Sequence, residues 1–109
     1  MDSTNSYDLF KTHMDTMILK ILLDRDHYGY EISKLIQQNS GGEFKLKEGT
    51  VYPILRRMES SGSIAQYWDD ETTRGARRKY YRITEKGKLM YTKNKKNWEY
   101  TVRVLKRLL

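Results

Sequence analysis

Residues 47–64 read KEGTVYPILRRMESSGSI. Val51, Ile54, Leu55 and Met58 recur at helical spacing and make one apolar face. Thr50, Pro53 and Arg57 fall on one outer flank of that helix, and Tyr52 and Arg56 on the other. Pro53 has no N–H, so it belongs in a first turn, where the leading donors lack partners anyway. That condition holds if Gly49 stands near the N-cap; an earlier start should bend the helix at Pro53. Gly62, after Glu59, Ser60 and Ser61, reads as a C-terminal stop. The segment is thus a short helix with a tight apolar seam and a polar, cationic outer side.

Toward the N-terminus, Phe10, Met14, Met17, Ile18, Ile21 and Leu22 step by threes and fours, which predicts one amphipathic helix over Leu9–Leu23 with Asp8 as its cap. DRDHYGY, residues 24–30, breaks the pattern, with Gly29 at the turn. A second helix resumes through Ile32, Leu35 and Ile36 and ends at the Ser-Gly-Gly of 40–42. Toward the C-terminus, SIAQYW (63–68) and RRKYYRI (77–83) read as two strands joined by the polar loop DDETTRGA. Alternation puts Tyr81 and Ile83 on one face of the second strand and Arg78, Tyr80 and Arg82 on the other. The strand therefore has an anchored side and a cationic side. From Thr84, a candidate N-cap, the pattern is helical again.

Three helices, a hairpin and a long helix are the layout of a winged helix-turn-helix. The expected fold is α+β, mostly α. Residues 1–83 are expected to form a DNA-binding domain, and 84–109 a C-terminal dimerisation helix. In this layout the third helix enters the major groove and the hairpin lies along the backbone. In the last helix Trp98, Val102, Leu105 and Leu109 form one ridge, and Thr101, Val104 and Leu108 an adjacent one. One seam against the same chain would not need both, so a second subunit is expected. Phe10 and Met14 join Trp98, Val102, Leu105, Leu108 and Leu109 in that expected interface.

The charge points the same way. The 109 residues carry a net charge of +7, but residues 1–44 are at −3 while 45–82 are at +4 and 86–107 at +7. Clustered Lys and Arg favour a polyanionic partner, nucleic acid before membrane. Only 38% of residues are apolar and 32% are charged, so the core is modest and borrowing from a partner subunit is expected. There is no cysteine, which suits a reducing cytoplasm. No run approaches the roughly 18 apolar residues of a membrane span. The opening MDSTNSYDLF is not expected to be a secretory signal. His13 and His27 are the only histidines, and neither has a carboxylate, thiol or hydroxyl at metal-ligand or triad spacing. Neither an enzyme, a metal site nor a cofactor is expected. Asp69, Asp70 and Glu71 read as the polar tip of the hairpin loop.

YGYEISKLI (28–36), EGTVYPILRRMESSGSI (48–64), GARRKYYRITEKGK (75–88) and an aromatic in the last helix together resemble the PadR family of bacterial transcriptional regulators. The resemblance runs from about Leu9 to the C-terminus. It is most specific at Gly49 to Pro53, followed by Leu55, Arg57, Glu59 and Gly62. It implies a winged-helix dimer that represses nearby genes and releases DNA on binding a small effector. A single C-terminal helix is similar to the short subfamily, which includes LmrR-type multidrug-sensing repressors. In these a tryptophan on the last helix stacks on flat aromatic drugs between subunits, and Trp98 stands at the matching place. Two departures stand out. Val102 replaces a carboxylate associated with cationic drugs, with Lys95 and Lys96 nearby. Lys47 replaces the usual Ser or Asn cap of the third helix, and puts a cation where phosphate is already favoured.

The candidate DNA contacts are Tyr30 and Lys34 on the second helix, Lys47, Thr50, Tyr52, Pro53, Arg56 and Arg57 on the third, and Arg74, Arg77, Arg78, Lys79 and Tyr80 on the wing. Tyr81 is expected in the core and Tyr80 nearer DNA. An arginine here can reach guanine or phosphate, and the sequence leaves both open. A lone tryptophan at helical spacing belongs to a core or dimer interface more often than to a ligand. The resemblance alone raises Trp98 as a ligand platform, with Asp15 as a second lining residue. The expected function is a homodimeric DNA-binding repressor reading an inverted repeat and relieved by a planar aromatic effector. The alternatives are an effector-independent DNA-binding or architectural protein, and an interaction protein whose basic last helix binds an acidic partner.

Overall fold

The computed structural model describes residues 6–69 and 77–109. Its elements run α1 (Ser6–Phe10), a 3₁₀ turn (Lys11–His13), α2 (Met14–Asp24), β1 (His27–Tyr28), α3 (Gly29–Asn39), α4 (Glu48–Ser61), β2 (Ile64–Asp69), β3 (Arg78–Ile83) and α5 (Glu85–Leu108). This is a mostly helical α+β winged helix followed by one long helix. No helix among the described residues is long and apolar enough to cross a membrane.

The apolar faces meet in one core. Ile18, Leu19 and Leu22 of α2, Ile32 of α3, Val51, Leu55 and Met58 of α4, Ile64 of β2 and Tyr81 of β3 are all buried there. The antiparallel sheet has the order β1-β3-β2, with Tyr81 opposite His27 on one side and Gln66 on the other. The third strand, β1, is an addition to the expected hairpin. It is only two residues long, too short for periodicity to reveal.

The first expected helix divides. Its register survives, but a 3₁₀ turn separates α1 from α2, a common tightening at helix N-termini. Phe10 thereby stands 4.9 Å, centroid to centroid, from Phe44, and Asp8 lies inside α1 instead of capping a longer helix. Met14 is a further correction: expected at a subunit interface, it is 1% exposed within its own chain. The α2 register turns it inward, beside Ile18 and Leu22.

At α4 the helix starts at Glu48 with Lys47 as N-cap, earlier than Gly49, and Lys47 makes no side-chain cap bond. Pro53 is therefore in the second turn. Having no N–H, it leaves the Gly49 carbonyl without its intrahelical donor. Gly62 ends α4 at φ 86°, a left-handed conformation that glycine adopts without a side-chain clash. Thr84 caps α5 as expected, its hydroxyl accepting from the Gly87 N–H at 3.1 Å. Thr84 N–H also donates to the buried Ser63 carbonyl at 3.1 Å, which fixes where the long helix leaves the wing.

Candidate DNA-binding surface

The α3–α4 pair is set by a close approach. Gly29 opens α3, and a Cβ there would stand 2.6 Å from the Tyr52 ring. Tyr52 thus lies over the start of α3, with its hydroxyl donating to Glu48 at 3.3 Å. Burial and the Glu48 charge push its pKa up. The N-terminus of α3 is closed by Glu31, which accepts from the Tyr28 N–H at 3.3 Å and, against the expectation that no carboxylate partners a histidine, pairs with the buried His27 ring four residues earlier at 3.2 Å. With Val51, Ile54, Leu55 and Met58 facing inward, α4 presents Gly49, Pro53, Arg56, Arg57 and Ser60 outward.

The wing stands beside this edge. Tyr28, Tyr80 and Tyr67 lie in one cross-strand row on the outer face of the sheet, with ring centroids 5.5 and 5.8 Å apart. The Arg78 guanidinium sits 4.7 Å over the Tyr28 ring, and Arg82 is exposed. Arg77 lies 5.4 Å over Trp68, which is 48% exposed. On α3, Tyr30 is exposed with the Lys34 ammonium 5.6 Å over its ring. The two exposed lysines Lys34 and Lys47 and the arginines of α4 and β3 give this side its positive field.

Other chains share this fold. The model of the "Transcriptional regulator PadR-like family" matches residues 18–93. An uncharacterized protein of Lysinibacillus sphaericus is 40% identical over 84% of this chain and 83% of its own. A transcriptional regulator of Clostridium thermocellum is 38% identical, with a TM-score of 0.84 over 95% of this chain and 97% of its own. A PadR family transcription regulator of Clostridium difficile is 41% identical, with a TM-score of 0.79 over 88% and 97%. The chain belongs to the PadR family of transcriptional regulators.

In this PadR chain the candidate contacts divide into groups. Thr50 is half-buried, while Pro53, Arg56 and Arg57 stand on the outer edge of α4. Arg57 is engaged: its Nη2 and Nη1 donate to the two carboxylate oxygens of Asp15 at 2.6 and 3.0 Å. Hydrogen bonding to Asp15 raises the Arg57 pKa further. Lys79 shares the face of Tyr81, as alternation alone would have shown, and its Nζ lies 3.8 Å from Glu59 of α4. Tyr81 is in the core, and Tyr80 is half-buried within the tyrosine row. Arg74, with Asp70 and Glu71, lies outside the described residues. Trp68 and Tyr67, both exposed on the wing, were not singled out by sequence; their signal was aromatic residues at the end of a strand beside a basic loop.

A second feature lies between α2 and α5. An open groove of about 430 Å³ is lined by Phe10, His13, Met17, Lys20, Tyr91, Asn94, Lys95 and Trp98, among others. Trp98 is therefore on a groove wall, 48% exposed. Asp15, the other expected ligand residue, does not line this groove; the α2 register turns it to Arg57 instead. Along α5 only Gly87 is buried. Met90 and Tyr91 pack on the core, whereas Tyr100, Leu105, Leu108 and Leu109 are exposed.

Proposed function

We propose that this PadR regulator is a homodimeric repressor that reads an inverted-repeat operator and is released from it by a planar aromatic effector. The exposed second half of α5 carries the dimer reading. Leu105 is 45% exposed and Leu108 73%, on a helix that also exposes Trp98 and Tyr100 among its many charged residues. Two such helices would cover each other's ridges. A dimer of this type places its two α4 helices one helical turn of DNA apart, roughly 34 Å. Arg56, Arg77, Arg78, Lys34 and Lys47 supply base or phosphate contacts, Thr50, Tyr52 and Pro53 sit at the groove edge, and the site of action is the cytoplasm.

The effector reading rests on Trp98 and the groove beside it, in the manner of the LmrR-type subfamily. An indole face stacks on a flat ring, which adds roughly 0.5–1.5 kcal/mol beyond area burial. Among the described residues, Lys20, Lys95 and His13 line the groove and no carboxylate does. With Val102 one turn beyond Trp98, this charge balance favours neutral or anionic rings over cations.

The test begins with selection of bound duplexes from a randomised pool, which should yield an inverted repeat. Flat dyes of both charges are then titrated while Trp98 fluorescence and release of the selected duplex are followed together. Quenching that disappears in Trp98→Ala, with release by the same compound, supports the whole reading. A selected repeat with no dye effect leaves the effector-independent regulator, and no preference for duplex DNA favours an acidic protein partner.

A further inference from the structure

The first turn of α2 holds two other helices at once. Asp15 grips Arg57 of α4 through both carboxylate oxygens, at 2.6 and 3.0 Å. The next residue, Thr16, accepts from the Asn94 side chain of α5 at 3.0 Å. The Asp15–Arg57 pair spans 42 residues of sequence, so the fold makes it, not local geometry. The Arg57 side chain is 60% exposed, and it stands on the outward half of the helix that reads DNA. An ion pair this exposed adds little to stability. Its consequence is orientation, because two parallel N–H···O bonds fix the guanidinium plane where one bond would not. The grip occupies one N–H on each terminal nitrogen. Nε–H and the second N–H of each terminal nitrogen remain, on edges turned away from Asp15.

We propose that Asp15 is a positioning residue for DNA recognition: it holds the Arg57 guanidinium in one plane, so that the remaining donors meet a base edge and not the nearest phosphate. The proposal rests on reading α4 as the groove helix and does not depend on an effector. A free arginine on a duplex surface is surrounded by phosphates and takes whichever is near. A carboxylate beside it removes that freedom and repels phosphate at the same spot. Without Asp15, Arg57 gains general affinity and loses its aim.

The experiment is selection from a randomised duplex pool by the full chain and by Asp15→Asn, Asp15→Glu and Arg57→Ala, followed by salt titration on random duplex. Arg57→Ala should lose the preference at one position of each half-site, about tenfold in discrimination for a base contact. Asp15→Asn should lose the same preference to a similar degree. It should also bind random duplex more tightly, with a salt dependence steeper by about one phosphate contact. That gain is what a merely destabilising change would not produce. Asp15→Glu, which keeps the carboxylate, should restore part of the preference. If Asp15→Asn selects the same site with the same sharpness while Arg57→Ala does not, Arg57 reads a base without help and the proposal is wrong. If Arg57→Ala loses no preference, the proposal falls with the assignment of Arg57 to a base. A wild-type pool without any preferred site would instead remove the groove-helix reading itself.

Discussion

Replacing Gly87 with alanine tests how tightly α5 is seated on the wing. An added Cβ would stand 2.1 Å from the Ser63 carbonyl oxygen and 2.8 Å from Cγ1 of Ile83. Ordinary contact begins near 3.4 Å, so the helix and the Ser63 backbone must part by more than 1 Å. Neither side yields easily. Ser63 is fully buried, its hydroxyl donates to the Met58 carbonyl at 3.2 Å, and its carbonyl accepts from Thr84 at 3.1 Å. Separation therefore strains the Thr84 bond and the cap that depends on it. Overpacking of this kind costs about 1–3 kcal/mol, and a weakened cap or backbone bond about 1 kcal/mol more. The helix propensity of alanine over glycine returns up to about 1 kcal/mol. The net loss is about 1–3 kcal/mol, or a fall in Tm of roughly 5–20 °C for a domain of this size. Denaturant and thermal melts at one fixed protein concentration measure it, since dimerisation would shift both. Gly49→Ala is the control, because nothing lies within 4 Å of its added methyl, and it should stay within about 1 kcal/mol of wild type. A Gly87→Ala protein that melts with the wild type would refute the account of the α5 junction.

Three further outcomes follow from particular contacts. The Tyr67 hydroxyl donates to Asp26 at 2.7 Å, and that bond, with burial and the carboxylate charge behind it, pushes the Tyr67 pKa from 10.0 to about 12. The protonated phenol is the form the fold holds, so its contribution is complete below about pH 10 and is lost as pH rises toward 12; phenolate absorbance should lose its last step in Tyr67→Phe. Arg78→Ala should weaken binding to specific and random duplex alike and flatten the salt dependence by about one unit, and a loss confined to the selected site would reassign Arg78 to a base. Leu105→Asp with Leu108→Asp should sediment as monomer and bind DNA weakly, because the proposed interface would have to bury two carboxylates; a tight dimer in this variant places the interface elsewhere.

Much of the fold was legible because local rules and burial agree in it. The α4 seam of Val51, Ile54, Leu55 and Met58 is readable from spacing, and so are the Gly62 stop, the Thr84 cap and the inward Tyr81. The misses lie where a partner distant in sequence decides. Two residues of β1 become a strand only because Tyr80 and Tyr81 pair with them. Met14 shares one apolar stripe with Phe10, and spacing alone does not say whether that part of the stripe meets the chain's own core or a partner subunit. Pro53 was expected in a first turn from its missing donor, but the helix start depends on the loop before Lys47, whose structure comes from Phe44 and Leu46 entering the core.

The surface was legible in charge and only partly in geometry. A count of Lys and Arg finds the basic side, yet it cannot say which cations are committed within the chain. Arg56 and Arg57 are adjacent in sequence and differ by about 100° around the helix. That rotation takes Arg57 to α2, where Asp15 meets it, and leaves Arg56 on the outermost edge. Asp15 was read as a ligand residue from its place on the first helix and the family resemblance, but its neighbours Thr16 and Met17 are the ones that line that groove. One step along α2 therefore separates contact with α4 from contact with the Trp98 groove.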